Sequence, residues 1–137
     1  MLDPRAREIY LDHLRPPTGY RLDGAVATTF SLDLLSLLMA PVAMALQDQR
    51  IGGQAVPDPV VVLEAIQQAA GRFAVFCQKG HIAVPRHDTL LYGYLEPSVV
   101  EVQPPDPRGV FHPKTWLLRY SAEDEDAPVR YRFLCLS

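Results

Sequence analysis

Two short apolar segments, separated by two helical patterns, constrain the fold of this chain more than any other feature. Residues 22–30 are small and β-branched, with a turn signal at Asp23-Gly24, and residues 72–78 are apolar and end at Lys79-Gly80. Such runs are typical of buried strands. Strands that are connected through helices usually run parallel in one sheet. The sequence therefore predicts an α/β fold with a mixed, partly parallel sheet flanked by helices.

The helical patterns between these strands have recognisable ends. The spacing predicts a helix over residues 32–49, with Ser31 as its N-cap and Asp33 in its first turn. Pro41 should kink this helix or split it. A second helix is predicted over residues 60–70, with Gly71 as its C-cap. A shorter amphipathic stretch over residues 6–14 ends at two prolines.

The sequence predicts further strands in the second half of the chain. Residues 81–87 are mixed and predict irregular structure or a short strand. Residues 89–95 fit a helix and a strand equally well, and residues 99–102 fit a short strand. An exposed loop should follow at 104–109. Two strong strands are predicted at 114–120 and 129–136, and the acidic run 123–126 between them is typical of a solvated hairpin loop.

Composition limits the class of protein. The 137 residues fit one domain with one hydrophobic core. No segment reaches the roughly 18 apolar residues of a membrane helix, and the N-terminus lacks the pattern of a signal peptide. We therefore expect a cytoplasmic protein that does not bind a membrane. Cys77 and Cys135 are too few for a disulfide framework, and we expect both to be buried thiols in strands.

The charges are unevenly distributed between residue types. The net charge of −3 weakens any expectation that the chain alone holds nucleic acid, because phosphate contacts need clustered cations. Eleven of the thirteen cations are arginine, and the two lysines are Lys79 and Lys114. Where arginine is the usual cation, a lysine can serve for its compact charge.

Candidate chemistry is concentrated at His112 and Lys114, which stand two residues apart at the start of a predicted strand. Residues i and i+2 of a strand point to one face, so imidazole and ammonium should converge there. If the next strand pairs antiparallel, Ser137 ends beside them. Lysine and a hydroxyl suit phosphate oxygens, and a neutral histidine can attack phosphorus.

This pattern resembles the phospholipase D superfamily, whose motif is His-x-Lys, four residues, Asp, then about six residues and Gly-Ser-x-Asn or Gly-Gly-x-Asn. His112-Pro113-Lys114 matches its first element and Leu136-Ser137 is similar to the start of its second. Arg119 stands where the family has Asp, and the chain ends before the Asn position. Residues 22–41 also look like the first strand and helix of bacterial members.

The resemblance implies roles and partners. His112 would be the catalytic nucleophile or, in a paired half, the general acid, and Lys114 and Ser137 would bind the substrate phosphate. It implies half of a phospholipase D-like domain, at the N-terminal part of a longer protein, acting on a phosphodiester such as nucleic acid. The second half-site would come from a downstream region or a homodimer partner. No metal or other cofactor is implied.

Other interpretations of these residues remain open. His112 and Lys114 can be surface residues of an unrelated α/β domain, or parts of a noncatalytic phospholipase D-like module that binds or scaffolds a larger complex. Trp116 and Tyr120 alternate with Lys114, so they would flank a substrate or pack in the core. Cys77, His81 and His87 fit no zinc spacing, and a core thiol with two surface histidines explains them. The Thr28-Thr29 pair is explained as ordinary strand sequence.

Overall fold

A computed structural model describes residues 12–45, 59–69, 71–85, 90–124 and 126–136. Predictions that fall on residues 6–11, 46–58 and 86–89, or on Ser137, lie outside these ranges. The elements, in chain order, are β1 Tyr20–Thr29, β2 Leu32–Asp33, α1 Leu34–Ala45, α2 Pro59–Ala69, β3 Phe73–Gln78, β4 Ile82–Ala83, α3 Leu90–Leu95, a 3₁₀ turn Glu96–Ser98, β5 Val99–Val102, β6 Thr115–Ala122 and β7 Arg130–Cys135.

Five strands form the main sheet, in the order β5-β3-β1-β6-β7. β5, β3 and β1 are parallel, whereas β6 and β7 are antiparallel to their neighbours. β2 and β4 form a separate parallel pair. The predicted α/β class with a mixed, partly parallel sheet is confirmed. β1 is the central strand: β3 pairs with it in parallel on one side, and β6 of the β6–β7 hairpin pairs with it antiparallel on the other.

The start of α1 differs from the sequence prediction. The helix begins at Leu34, so Ser31 is not its N-cap as predicted. The carboxylate of Asp33 caps it instead: one oxygen accepts from the backbone N–H of Leu35 at 3.1 Å and the other from the Ser36 hydroxyl at 2.8 Å. Asp33 caps the helix in place of Ser31 because the backbone of Asp33 still pairs in β2. The helix therefore begins two residues later than predicted.

Other boundaries follow the sequence more closely. Pro41 lies inside α1, which continues to Ala45 and is not split. Gly71 has a φ of 82°, as the predicted C-cap requires, and Gly80 has a φ of 77° in the turn after β3. The segment that fitted a helix and a strand equally well forms α3, Leu90–Leu95.

The core lies on one face of the sheet, against which the described helices pack. Its buried members from the sheet are Tyr20, Leu22, Ala25, Ala27, Phe73, Val75, Cys77, Trp116, Leu118 and Tyr120, and those from the helices and loops include Leu14, Leu37, Ala40, Ile66, Ala69 and Leu95. Trp116 and Tyr120 are therefore core residues, which is one of the two alternatives that the sequence leaves open. Full burial of an aliphatic side chain contributes about 1.5–3 kcal/mol.

The opposite face of the sheet is exposed among the described residues, and we call it the open face. Val26, Leu117 and Phe133 lie in one cross-strand row on it and are 43%, 46% and 64% exposed. Cys135 alternates onto this face and is exposed, so the prediction that both cysteines are buried was wrong for Cys135. The described residues cover one face of the sheet, and strand alternation alone does not reveal which side chains remain uncovered.

No helix within the described ranges has both the length and the apolar character needed to cross a bilayer.

Candidate functional site

The carboxyl ends of the three parallel strands meet at one edge of the sheet. Phe30 follows β1, Lys79 follows β3 and Gln103 follows β5. β6 runs antiparallel to β1, so its first residue, Thr115, pairs with Thr28 at the same edge. The segment before β6, which contains the predicted histidine and lysine, is thereby brought to the place where open α/β sheets bind ligands.

His112 lies in an extended segment just before β6 and is exposed. Its ring centroid is 5.0 Å from that of Phe30, with the two planes tilted by 43°. The backbone N–H of the preceding residue, Phe111, donates to Oε1 of Gln78 at 2.7 Å. β1 and β3 thus hold this segment from two sides, and the imidazole remains accessible.

Lys114 is half-buried and directly precedes β6, which begins one residue later than predicted. Its carbonyl oxygen accepts a hydrogen bond from the backbone N–H of Leu136 at 2.8 Å. The end of the β7 segment therefore lies beside Lys114, as antiparallel pairing predicts. Ser137, the predicted phosphate donor, follows Leu136 but lies outside the described residues, so its role stays a prediction.

A threonine pair fixes where β6 meets β1. The hydroxyl oxygens of Thr28 and Thr115 are 2.7 Å apart, and the Thr115 backbone N–H also donates to Oγ1 of Thr28 at 3.1 Å. The interpretation of Thr28 as ordinary strand sequence missed this contact. The sequence signal for this contact is the preference of threonine for a threonine partner on the neighbouring strand. That preference identifies a pair only when the strand register is known.

His81 is a second imidazole at this edge. Its ring centroid is 4.3 Å from that of Phe30, the same ring that His112 contacts. The backbone around it is fixed, because His81 donates to Gln78 at 3.1 Å and accepts from Leu32 at 2.9 Å. His81 is exposed, as predicted of a surface histidine. Its contact with Phe30, the ring that His112 also contacts, had no signal in the sequence.

Arg119, which replaces the aspartate of the family pattern, lies away from this edge. Its guanidinium pairs with the carboxylate of Asp23 on β1 at 2.7 Å, and both side chains are more than a third exposed. It lies five residue steps along the strand from Lys114, about 17 Å at about 3.4 Å per step. The charge at position 119 therefore does not contact the His112 imidazole.

Cys77 carries a thiol near the same edge, and it is buried at the end of β3. Burial raises the pKa of its thiol, and the negative charge of Glu101 raises this pKa further. A thiol held in its neutral form is a poor nucleophile and a poor metal ligand. Within the described residues, no group of three His, Cys, Asp or Glu side chains is arranged to hold a metal ion.

Comparison of the chain with protein-family models, with curated proteins and with solved structures found no match. The function must therefore be inferred from the residues at the carboxyl edge and their chemistry.

Proposed function

We propose that this chain is part of a phosphodiesterase of the phospholipase D type, acting as a nuclease, with its site at the carboxyl edge of β1, β3 and β5. One observation carries the proposal. An exposed His112 imidazole and Lys114 flank a single proline, at the edge where ligands bind, and the end of the β7 segment pairs with Lys114. His112 is exposed to water. We expect the protein to act in the cytoplasm.

Each residue has a role that its chemistry allows. His112 attacks phosphorus through a ring nitrogen, and a covalent phosphohistidine forms. The Lys114 ammonium stabilises the charge that develops on the non-bridging oxygens, which is the main electrostatic task of phosphoryl transfer. Ser137 adds a hydroxyl donor to the same oxygens. A second half-site, from a downstream region or a second copy, supplies the acid that protonates a poor leaving group.

A substrate with a good leaving group tests this role without a second half-site. In bis(4-nitrophenyl) phosphate, the His112 nitrogen forms a P–N bond while the bond to one 4-nitrophenolate breaks, and the ring N–H releases its proton to water. We expect up to one equivalent of yellow nitrophenolate per chain, with little turnover afterwards. Peptide mass mapping should find the phosphoryl adduct on His112.

Two variants make the result decisive. His112→Asn should abolish both the burst and the adduct, and His13→Asn, which changes a histidine in the helical segment before β1, should leave both unchanged. A burst that survives in His112→Asn, or an adduct on another residue, would refute the proposed nucleophile.

The second candidate function is a noncatalytic module that binds phosphodiesters in a larger complex. The ion pair between Arg119 and Asp23 favours it, because the family's acidic position is occupied by a cation with a structural partner. This module would bind dimethyl phosphate through Lys114 but give no nitrophenolate burst. Dimethyl phosphate binding and the nitrophenolate burst, measured together, therefore separate the two candidate functions.

A further inference from the structure

A cleft of about 250 Å³ opens at the same edge, between the end of β3 and the loop after β5. It is lined by Gln78, Lys79, Gln103, Pro104, Asp106, Pro107 and Gly109. Gln78 joins the cleft to the proposed active site, because its side-chain oxygen accepts the N–H of Phe111, the residue before His112. Gln78 is therefore shared by the cleft and the segment that carries His112.

Backbone hydrogen bonds fix the segments that line the cleft. The N–H of Lys79 donates to Val102 at 2.9 Å, and the N–H of Gly109 donates to Asp106 at 2.8 Å. A Cβ on Gly109 would lie 2.9 Å from the Pro104 side chain and 3.0 Å from the Asp106 carbonyl oxygen. Only glycine lets the loop close this tightly, so the loop forms a preorganised wall.

The cleft is lined by one cation, Lys79, and one carboxylate, Asp106. Asp106 accepts from the Arg108 backbone at 2.8 Å and lies 3.7 Å from the Arg108 guanidinium, so its negative charge is partly neutralised. Lys79 is exposed and forms no ion pair among the described residues. Both lysines of the chain therefore lie at this edge, one beside His112 and one in the cleft.

We propose that the cleft binds the nucleotide next to the scissile phosphate of a single nucleic-acid strand, with Lys79 contacting the neighbouring phosphate. This inference rests on the proposed function. A strand presents a second phosphate beside the first, whereas a lipid headgroup diester presents one. The amides of Gln78 and Gln103 suit the edges of a base, and the two prolines offer it apolar surface. A cleft with these walls is unsuited to acyl chains.

The salt dependence of binding tests the second phosphate contact directly. Each phosphate contact to a single strand contributes a slope of about −0.7 to log affinity against log salt. With a fluorescein-labelled thymidine octanucleotide, Lys79→Gln should make the slope less negative by about 0.7. Between 50 and 200 mM salt, the wild-type affinity should then fall about 2.6-fold further than that of the variant.

Matched variants separate the cleft from the active site. Lys79→Arg should keep the wild-type slope, and so should Arg72→Gln, which removes an exposed cation just before β3 at the opposite edge of the sheet. Binding of dimethyl phosphate should be unchanged in Lys79→Gln and lost in Lys114→Gln.

Every other outcome counts against the inference. An unchanged slope in Lys79→Gln, with Lys114→Gln still losing dimethyl phosphate, overturns the nucleotide cleft and leaves the proposed function standing. Dimethyl phosphate binding that is indifferent to Lys114→Gln overturns the proposed function itself. Binding to phosphatidylglycerol vesicles without binding to the octanucleotide assigns the site to lipid and overturns the nucleic-acid substrate.

Discussion

Replacing Thr28 by valine should weaken the fold and displace the segment that carries His112. The Thr28 hydroxyl takes part in two half-buried hydrogen bonds, one with the Thr115 hydroxyl at 2.7 Å and one from the Thr115 N–H at 3.1 Å. At about 1 kcal/mol net for each bond, Thr28→Val should cost about 2 kcal/mol of unfolding free energy. Thr115→Val removes only the bond between hydroxyls and should cost about 1 kcal/mol.

Urea unfolding measures both values. With a denaturant dependence of about 2 kcal/mol per molar, Thr28→Val should lower the midpoint by about 1 M and Thr115→Val by about half as much. Thr29→Val is the matched control in the same strand. The Thr29 hydroxyl donates to the Ser31 carbonyl in an exposed bond of 2.9 Å, so its loss should cost less than about 0.5 kcal/mol.

The effect on phosphate binding distinguishes whether Thr28 positions the site or only stabilises the fold. Thr115 directly follows Lys114, so freeing it should weaken dimethyl phosphate binding in Thr28→Val under conditions where the chain is fully folded. Equal midpoints for Thr28→Val and Thr29→Val, or unchanged phosphate binding in folded Thr28→Val, would refute the reasoning.

Three further predictions concern the core, the open face and the ion pair. A thiol reagent should label Cys135 in the folded chain and Cys77 only after unfolding, since burial raises the pKa of Cys77; labelling of both in the folded chain would contradict this. Phe133→Lys should abolish concentration-dependent self-association in sedimentation, because the open face offers apolar area to a second copy; a wild-type chain that stays monomeric would contradict this. Arg119→Asp should lower the urea midpoint by placing two carboxylates together, and adding Asp23→Arg should restore it; an effect above about 1 kcal/mol is not expected for so exposed a pair.

The five strands of the main sheet could be predicted to within about two residues because their signals are local. Residues 72–78 predicted β3, Phe73–Gln78, and residues 99–102 matched β5, Val99–Val102. In each case an apolar run is bounded by residues that interrupt strands. The parallel pairing of β1 and β3 also followed from sequence order, since a helical crossover strongly favours it.

The surroundings of the site could not be predicted because they depend on contacts distant in sequence. Phe30 contacts both His81 and His112, which are far apart in the sequence, and no local pattern links these three residues. The start of α1 was misplaced because β2 pairs with β4, a long-range pairing. The exposure of Cys135 depends on what covers the open face, and strand alternation does not encode this.

A histidine-resolved titration tests the central claim most directly. The chain has four histidines, so long-range ¹H–¹⁵N spectra can follow each imidazole separately, with His112→Asn giving the assignment. On addition of dimethyl phosphate, the ring nitrogens of His112 should shift in a saturable manner, those of His13 should not, and the shift should vanish in Lys114→Gln. A His112 signal that does not move, or that moves equally in Lys114→Gln, would contradict a phosphate site built on these two residues.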